Sequence, residues 1–281
     1  MSSHVAIVTD STAYLPQEAL IRHRITVVPL VVVIGDEALE EGTEVSAPAV
    51  ARALQRRKPV TTSRPGPAEF AAAYRAAAEA GAEAIVSLHL SAEFSGTYDA
   101  ALLAAADAPV PVRVVDTAMV AMALGFSVLS AAEAAEAGGS SDDVVAAAEK
   151  RASDTSAYFY VDTLDYLRRG GRIGAAQALL GSALAVKPLL QLSEGRIELM
   201  EKVRTASKAV ARLEEIVVER AGTRRVDIAV HHLASADRAA ALAERLRGRV
   251  PGLDTLVLSE VGAVIGAHTG PGLLGVVVSP H

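Results

Sequence analysis

Short runs of β-branched residues alternate with alanine-rich stretches through the first half of the chain, and this alternation restricts the fold more than any other feature. Val5–Val8, Ile25–Ile34, Ala84–Leu90 and Val112–Val115 have strand length and composition. Pro48–Arg57, Pro67–Ala80, Thr97–Ala106 and Val120–Ala137 read as helices between them. Ser46 with Pro48, and Ser63 with Pro65 and Pro67, supply N-cap and early-proline start signals. Strands separated by helices predict a parallel sheet covered by helices, an α/β fold. Gly138-Gly139-Ser140-Ser141 breaks the pattern, and a capped helix is expected over Asp142–Ser153.

The second half changes character. Tyr158–Val161 reads as a strand, and Leu189–Leu192 with Ile197–Val203 as a hairpin turning at Glu194-Gly195. A helix to about Glu219, strand Val226–Val230, helix Ser235–Gly248 and strand Thr255–Ser259 follow. A glycine-rich loop and a terminal strand, Leu273–Val278, close the chain. The expected domains are 1–155 and 156–281, a length suited to two ordinary domains.

Composition removes several classes of function. Apolar residues make up 51% of the chain but aromatics only 4%, with no Trp, so the core is aliphatic and bases have little to stack on. A net charge of −6 also opposes binding to a phosphate backbone, so no nucleic acid partner is expected. There is no cysteine, hence no disulfide and no thiolate metal site. His231-His232 are adjacent and point to opposite faces of a strand, so no metal is expected. The N-terminal apolar run is too short for a secretory leader, and Val27–Ile34 is strand-length and contains Pro29. The expectation is a soluble, cytoplasmic protein.

Three polar runs carry the chemistry: Thr61-Thr62-Ser63, Phe94-Ser95-Gly96-Thr97 and Gly266-Ala267-His268-Thr269-Gly270-Pro271-Gly272. Each is rich in hydroxyls or glycines, and together they would supply neutral donors suited to a small anion such as a carboxylate. Gly270-Pro271-Gly272-Leu273-Leu274-Gly275 matches the dinucleotide fingerprint in letters, but a strand-like run follows where a helix belongs. The stretch from Gly181 to Lys187 has the wrong spacing for a phosphate loop. Ser95, His268 and one of Asp10, Asp116 or Asp162 can be drawn as a hydrolase triad, yet the nucleophile elbow is missing around Ser95. Asp10 and Asp116 sit where helix caps belong. In Arg168-Arg169-Gly170-Gly171-Arg172 the two glycines allow an unusual path and close approach by a partner; a solvated basic loop is the plainer reading. Thr205, after Arg204, is placed to cap the next helix.

Taken in order, these segments resemble the DegV family of bacterial fatty-acid-binding proteins over nearly the whole chain. The resemblance begins with Val5-Ala6-Ile7-Val8-Thr9-Asp10-Ser11-Thr12 and runs through Thr61-Thr62-Ser63-Arg64-Pro65 and Leu90–Tyr98. It continues with Val115-Asp116-Thr117, Tyr166–Ile173, Lys187-Pro188 and Val203-Arg204-Thr205, and ends with Gly266–Gly272.

The resemblance implies a two-domain fold, a parallel-sheet N-terminal domain and a mixed-sheet C-terminal domain, with a long-chain fatty acid in a tunnel between them. It implies a carrier rather than an enzyme: a separate ATP-dependent fatty acid kinase phosphorylates the bound acid for phospholipid synthesis, with transient membrane or acyltransferase contact afterwards. Carried over, Thr62, Ser95, Gly96 and His268 hold the carboxylate, and Arg172 and Arg204 serve the kinase. Thr61, Ser63, Arg64, Phe94 and Gly270 are additional site or lining residues. No cofactor is implied. Arg64 stands where the family commonly has Gln, and Ser91-Ala92-Glu93-Phe94 departs from the usual lead into Ser-Gly-Thr, which puts lipid preference in question.

The chemistry suits such a ligand. Burying about fifteen methylenes is worth about 12 kcal/mol gross at about 0.8 each, and a desolvated carboxylate must be hydrogen-bonded to stay ionised. The alternative reading, a stand-alone acyl hydrolase or His-dependent phosphotransferase built on Ser95 and His268, stays open at this level.

Overall fold

The computed structural model describes residues 4–179 and 187–281, so all but Lys187 of the Gly181–Lys187 stretch weighed above as a phosphate loop lies outside the described residues. Contacts divide the chain into two units, one formed by 1–31 and 63–154, the other by 32–62 and 155–281. A single cut at 155 therefore does not describe the packing. The chain leaves the first unit at Val31, contributes 32–62 to the second, and returns at Ser63.

In the first unit, four strands lie in the order Thr26–Val28, Val5–Asp10, Ala84–His89, Val112–Asp116. All three neighbouring pairs are parallel, as the alternation of strands and helices requires. The strand expected over 25–34 is two, Thr26–Val28 and Val31–Ile34, parted at Pro29-Leu30. Proline cannot donate to the ladder, and Leu30 N donates instead to Ser11 Oγ at 3.0 Å. Val8, Val28 and Ile85 pack against Phe70 and Tyr74 of helix Pro67–Glu79 and Ala100, Ala101 and Ala104 of helix Thr97–Ala105. Each fully buried Val or Ile contributes about 1.5–3 kcal/mol. Helices Met122–Glu136 and Ser141–Asp154 pack on each other and on the sheet. Met122, Leu124 and Phe126 are core residues of this unit.

In the second unit, a six-stranded sheet runs Arg196–Val203, Lys187–Ser193, Ser156–Tyr160, Leu274–Pro280, Val226–His232, Leu253–Glu260. Its neighbours are antiparallel except Val226–His232 with Leu253–Glu260, so the sheet is mixed. Leu213, Ile216 and Val217 of helix Ala206–Ala221, with Leu242 and Leu246 of helix Ala236–Arg249, bury Val226, Ile228, Val230, Val276 and Val278. Thr205 caps the first of these helices by accepting from Lys208 N at 3.3 Å.

The segment 32–62 brings helix Ala47–Gln55 and most of a three-stranded sheet ordered Glu37–Glu40, Val31–Ile34, Val60–Ser63. The Thr61-Thr62-Ser63 run is thus on a strand. Helix Ala47–Gln55 packs against helix Ala263–Thr269, where a glycine-rich loop was expected. Gly266 lets this helix lie close to Leu233, whose Cδ2 is 3.2 Å from where a Cβ would stand. Glu41, 5% exposed, accepts Val264 N at 2.8 Å and so satisfies a donor of the helix start. Among the described residues, no helix is long and apolar enough to cross a membrane.

Candidate functional site

The Ser95 loop of the first unit leaves the carboxyl end of strand Ala84–His89, the edge at which open parallel sheets present their ligand loops. A buried polar chain fixes the start of that loop. Asp10 Oδ1 accepts Thr12 N at 3.0 Å and Thr12 Oγ1 at 2.6 Å, and Oδ2 accepts Leu90 N at 2.9 Å. His89 Nδ1 lies 3.0 Å from Asp10 Oδ2 and Nε2 lies 2.7 Å from Ser87 Oγ, which also receives the Tyr74 hydroxyl at 2.9 Å. Burial pushes the Tyr74 phenol up to about 12, so it remains a donor.

Ser91 O then accepts Phe94 N at 3.0 Å and Ser95 N at 3.3 Å, closing the turn. Ser95 Oγ bonds Thr97 Oγ1 at 2.8 Å. Arg64 Nη1 donates to Gly96 O at 3.0 Å, and a Cβ on Gly96 would stand 2.7 Å from that nitrogen. Arg64 is thereby committed to the loop, and Ser63 Oγ donates to Arg64 O at 3.2 Å. Asp116 Oδ1 accepts Ala92 N and Ala118 N at 3.2 and 2.9 Å, which makes it a turn residue.

In the second unit, Thr62 Oγ1 and His268 Nε2 are 2.7 Å apart across 206 residues of sequence. Both are half-buried, whereas Thr61 is exposed. His268 lies in helix Ala263–Thr269, which ends at Gly270 with φ 73° and Gly270 N donating to Gly266 O at 2.9 Å. The imidazole is seated on Gly170: a Cβ there would stand 2.1 Å from His268 Nδ1. Gly270 is seated in the same way on the Tyr166 ring, with 2.1 Å between its missing Cβ and Cδ2. The glycines of the Arg168–Arg172 run and of the terminal run thus serve one close approach between two segments.

Burial, and after it the Arg172 charge, lower the His268 pKa to about 4, so the ring is neutral at pH 7. Its Nδ1 is buried without a hydrogen-bond partner among the described residues. Arg172 Nη1 donates to Gly170 O at 2.6 Å, holding the guanidinium beside the segment that cradles the ring. Arg204 is exposed, just ahead of the Thr205 cap. Asp162 receives the Tyr160 hydroxyl, and its backbone oxygen accepts Lys187 Nζ at 2.9 Å.

The structure therefore joins Thr62 with His268 and with the Gly170–Arg172 segment, and joins Arg64 with Gly96. Of the residues drawn as a triad, Asp10 bonds His89, Ser95 bonds Thr97 and His268 bonds Thr62. The Gly270–Gly275 run has a helix before it and strand Leu274–Pro280 after it, the reverse of a dinucleotide turn. His231 Nδ1 is 3.0 Å from Ser259 Oγ and His232 Nδ1 is 3.9 Å from Glu260 Oε1, the divergence expected for adjacent strand residues. His281 Nε2 lies 3.1 Å from Asp227 Oδ2 and 3.4 Å from Asp254 Oδ2, with Arg225 also on Asp254. Sequence reading missed that cluster, the partnership of His89 with Asp10, and Gly170 as the seat of His268. Only the cap position of Asp10 signalled any of these locally.

The profile of the DegV family, described as uncharacterised proteins, matches residues 4–281. A DegV domain-containing protein of Streptomyces coelicolor is 76% identical over 279 residues, which cover 99% of each chain. The structure of a DegV family protein from Thermus thermophilus, described by its fatty acid binding, matches with a TM-score of 0.94 at 36% identity, over 99% of this chain and 100% of that one. DegV of Bacillus subtilis, described as a fatty acid binding protein, matches with a TM-score of 0.92 at 36% identity over 100% of both chains. With its mixed α/β architecture, one parallel and one mixed sheet, and a family match over its described length, the chain belongs to the DegV family.

Proposed function

We propose that this protein binds a long-chain fatty acid and presents its carboxylate to a separate ATP-dependent kinase. The observation that carries the reading is the Thr62–His268 pair: a hydroxyl and a neutral imidazole, 2.7 Å apart and half-buried, in the two segments that the family resemblance assigns to the carboxylate. Such donors hold a carboxylate without the tight ion pair an arginine would impose. The oxygen keeps its nucleophilicity toward a γ-phosphorus. In the kinase step that oxygen bonds to phosphorus, the bond from phosphorus to the β,γ-bridging oxygen breaks, and ADP leaves with the electron pair. Ser95 and Gly96 are carboxylate residues in this proposal on the resemblance, and Arg172 and Arg204 belong to the kinase step. The two relatives of known structure described by fatty acid binding support the ligand class at 36% identity.

Mass spectrometry of organic extracts of the purified protein tests the reading. A roughly stoichiometric fatty acid is expected. A protein that is empty and takes up no added palmitate would remove the carrier assignment. Addition of a fatty acid kinase and ATP should then convert the bound acid to acyl-phosphate, and a loaded protein that no such kinase phosphorylates would leave lipid binding alone.

A further inference from the structure

A polar pocket lies within the second unit, where the parallel strands Val226–His232 and Leu253–Glu260 end and helix Ala236–Arg249 begins. The carboxyl ends of parallel strands are where α/β sheets hold ligands. The pocket encloses about 790 Å³, the size of a small-molecule site. Gln55, Asp162, His232, Ser235, Arg238 and Glu260 line it, and none of the residues assigned above to the carboxylate or the kinase does.

Two of these side chains carry nitrogens that are buried with no hydrogen-bond partner among the described residues, Arg238 Nη2 and His232 Nδ1. A buried polar group left unpaired costs free energy. His232 is only 9% exposed, and its Nδ1 stops 3.9 Å short of Glu260 Oε1, on the opposite side of the pocket lining. Burial outweighs the Glu260 charge and holds the His232 pKa below 6.5, so the ring is neutral at pH 7. Arg238 lies across the Tyr160 ring, 5.5 Å from its centroid. Ser235 occupies the N-cap position of a 14-residue helix but makes no capping bond. Ala239 N donates to Ser235 O at 3.0 Å, and the N–H groups ahead of it have no place in the helical ladder.

The two sides of the pocket call for opposite groups. Arg238 Nη2, the helix start and the Ser235 hydroxyl offer donors and positive potential, which suit a carboxylate. With its proton on Nε2, His232 presents Nδ1 as an acceptor beside the Glu260 carboxylate, which suits an ammonium. Asp162 is already engaged by the Tyr160 hydroxyl and lies 3.9 Å from Lys187 Nζ. The remaining charges set Arg238 against Asp237 and Glu260, so a phosphate dianion is opposed and a ligand that brings its own positive charge is favoured.

We propose that this pocket binds a free α-amino acid, with its carboxylate on Arg238, Ser235 and the helix start, its ammonium between His232 Nδ1 and Glu260, and its side chain in the remaining volume. The assignment is independent of the fatty-acid reading.

The test is ¹H–¹⁵N NMR of the full-length protein titrated with the standard L-amino acids, one at a time at millimolar concentration. At least one should shift the amides of Ala236, Asp237 and Arg238 to saturation, and a panel that moves none of them overturns the proposal. Acetate, methylamine and inorganic phosphate should each bind about tenfold or more weakly than the best amino acid. Equal binding of phosphate would make the pocket a plain anion site and overturn the proposal. Arg238→Met and His232→Leu should each weaken binding about tenfold or more. Both empty variants should unfold no earlier than the wild type, because each loses a nitrogen that had no partner. Undiminished binding in both, or early unfolding of both, would contradict a ligand role for these side chains. Added palmitate should not displace the amino acid, and displacement would assign the pocket to the acyl chain instead.

Discussion

Asp10 Oδ2 and His89 Nδ1 lie 3.0 Å apart with both side chains fully buried, joining the ends of two parallel strands beneath the Ser95 loop. The same carboxylate receives Thr12 N, Thr12 Oγ1 and Leu90 N. Asp10→Ala would strand these donors in the core, at a cost of about 3–5 kcal/mol. Asp10→Asn keeps an acceptor for Thr12 but turns an amide N–H₂ toward Leu90 N, and should lose less. Urea unfolding of the three proteins checks the ranking. Equal stability of Asp10→Ala and wild type would show that the chain of bonds is dispensable.

Adjacent glycine runs differ sharply in what they tolerate. Gly270 has φ 73° and a missing Cβ 2.1 Å from the Tyr166 ring, whereas Gly171 has φ 71° and nothing within 4 Å. Gly171→Ala therefore bears only the left-handed backbone cost, about 1 kcal/mol. Gly270→Ala adds overpacking against an aromatic ring, about 2–5 kcal/mol in all. Thermal unfolding of the pair should separate them widely. Similar values would mean that Tyr166 yields its place freely.

What was readable in the sequence follows the range of the forces involved. Strand Ala84–His89 and helix Pro67–Glu79 are written in local composition and start signals, and both appear within one or two residues of expectation. Helix Ala263–Thr269 is not: Val264, Ile265 and Gly266 are poor helix formers, and the segment is held by Glu41, which caps it from 223 residues away. The assignment of 32–62 to the second unit is likewise a matter of packing between distant segments. Thr62 and His268 stood out as chemically suitable, but their 2.7 Å contact was foreshadowed only by the family resemblance. Gly170 looked like loop freedom, and its reason is a ring from the other end of the chain.

Acid should destabilise the fold before carboxylates titrate. His231 and His268 are both lowered from 6.5 to about 4, the first chiefly by burial, the second by burial and then Arg172. Between pH 6.5 and about 4 the unfolded chain takes up protons that the folded chain refuses. Stability is full above pH 6.5 and falls as pH drops, by about 1.4 kcal/mol per pH unit for each histidine. Below about pH 4 both states are protonated and this contribution levels off. Denaturation between pH 7 and 5 should show the slope, and His231→Gln should reduce it, the remainder coming from His268 and from His232, whose pKa burial also lowers. An unchanged slope in that variant would contradict the assignment.

Arg172 offers the sharpest separation of roles. Its charge is the second cause, after burial, of the lowered His268 pKa. Arg172→Gln should raise that pKa above about 4, yet leave it below the ordinary 6.5 because burial persists. Arg204 is exposed and is not among the causes acting on the ring, so Arg204→Gln should leave the titration where it is. Histidine NMR titrations of the two variants test this directly, without any ligand. In the proposed carrier both variants should retain palmitate at pH 7, since burial keeps the ring neutral there, while acyl-phosphate formation with a kinase falls at least tenfold. If Arg172→Gln lost palmitate as fully as Thr62→Val, the guanidinium would have to be counted among the groups that hold the carboxylate, and the kinase role would pass to Arg204 alone.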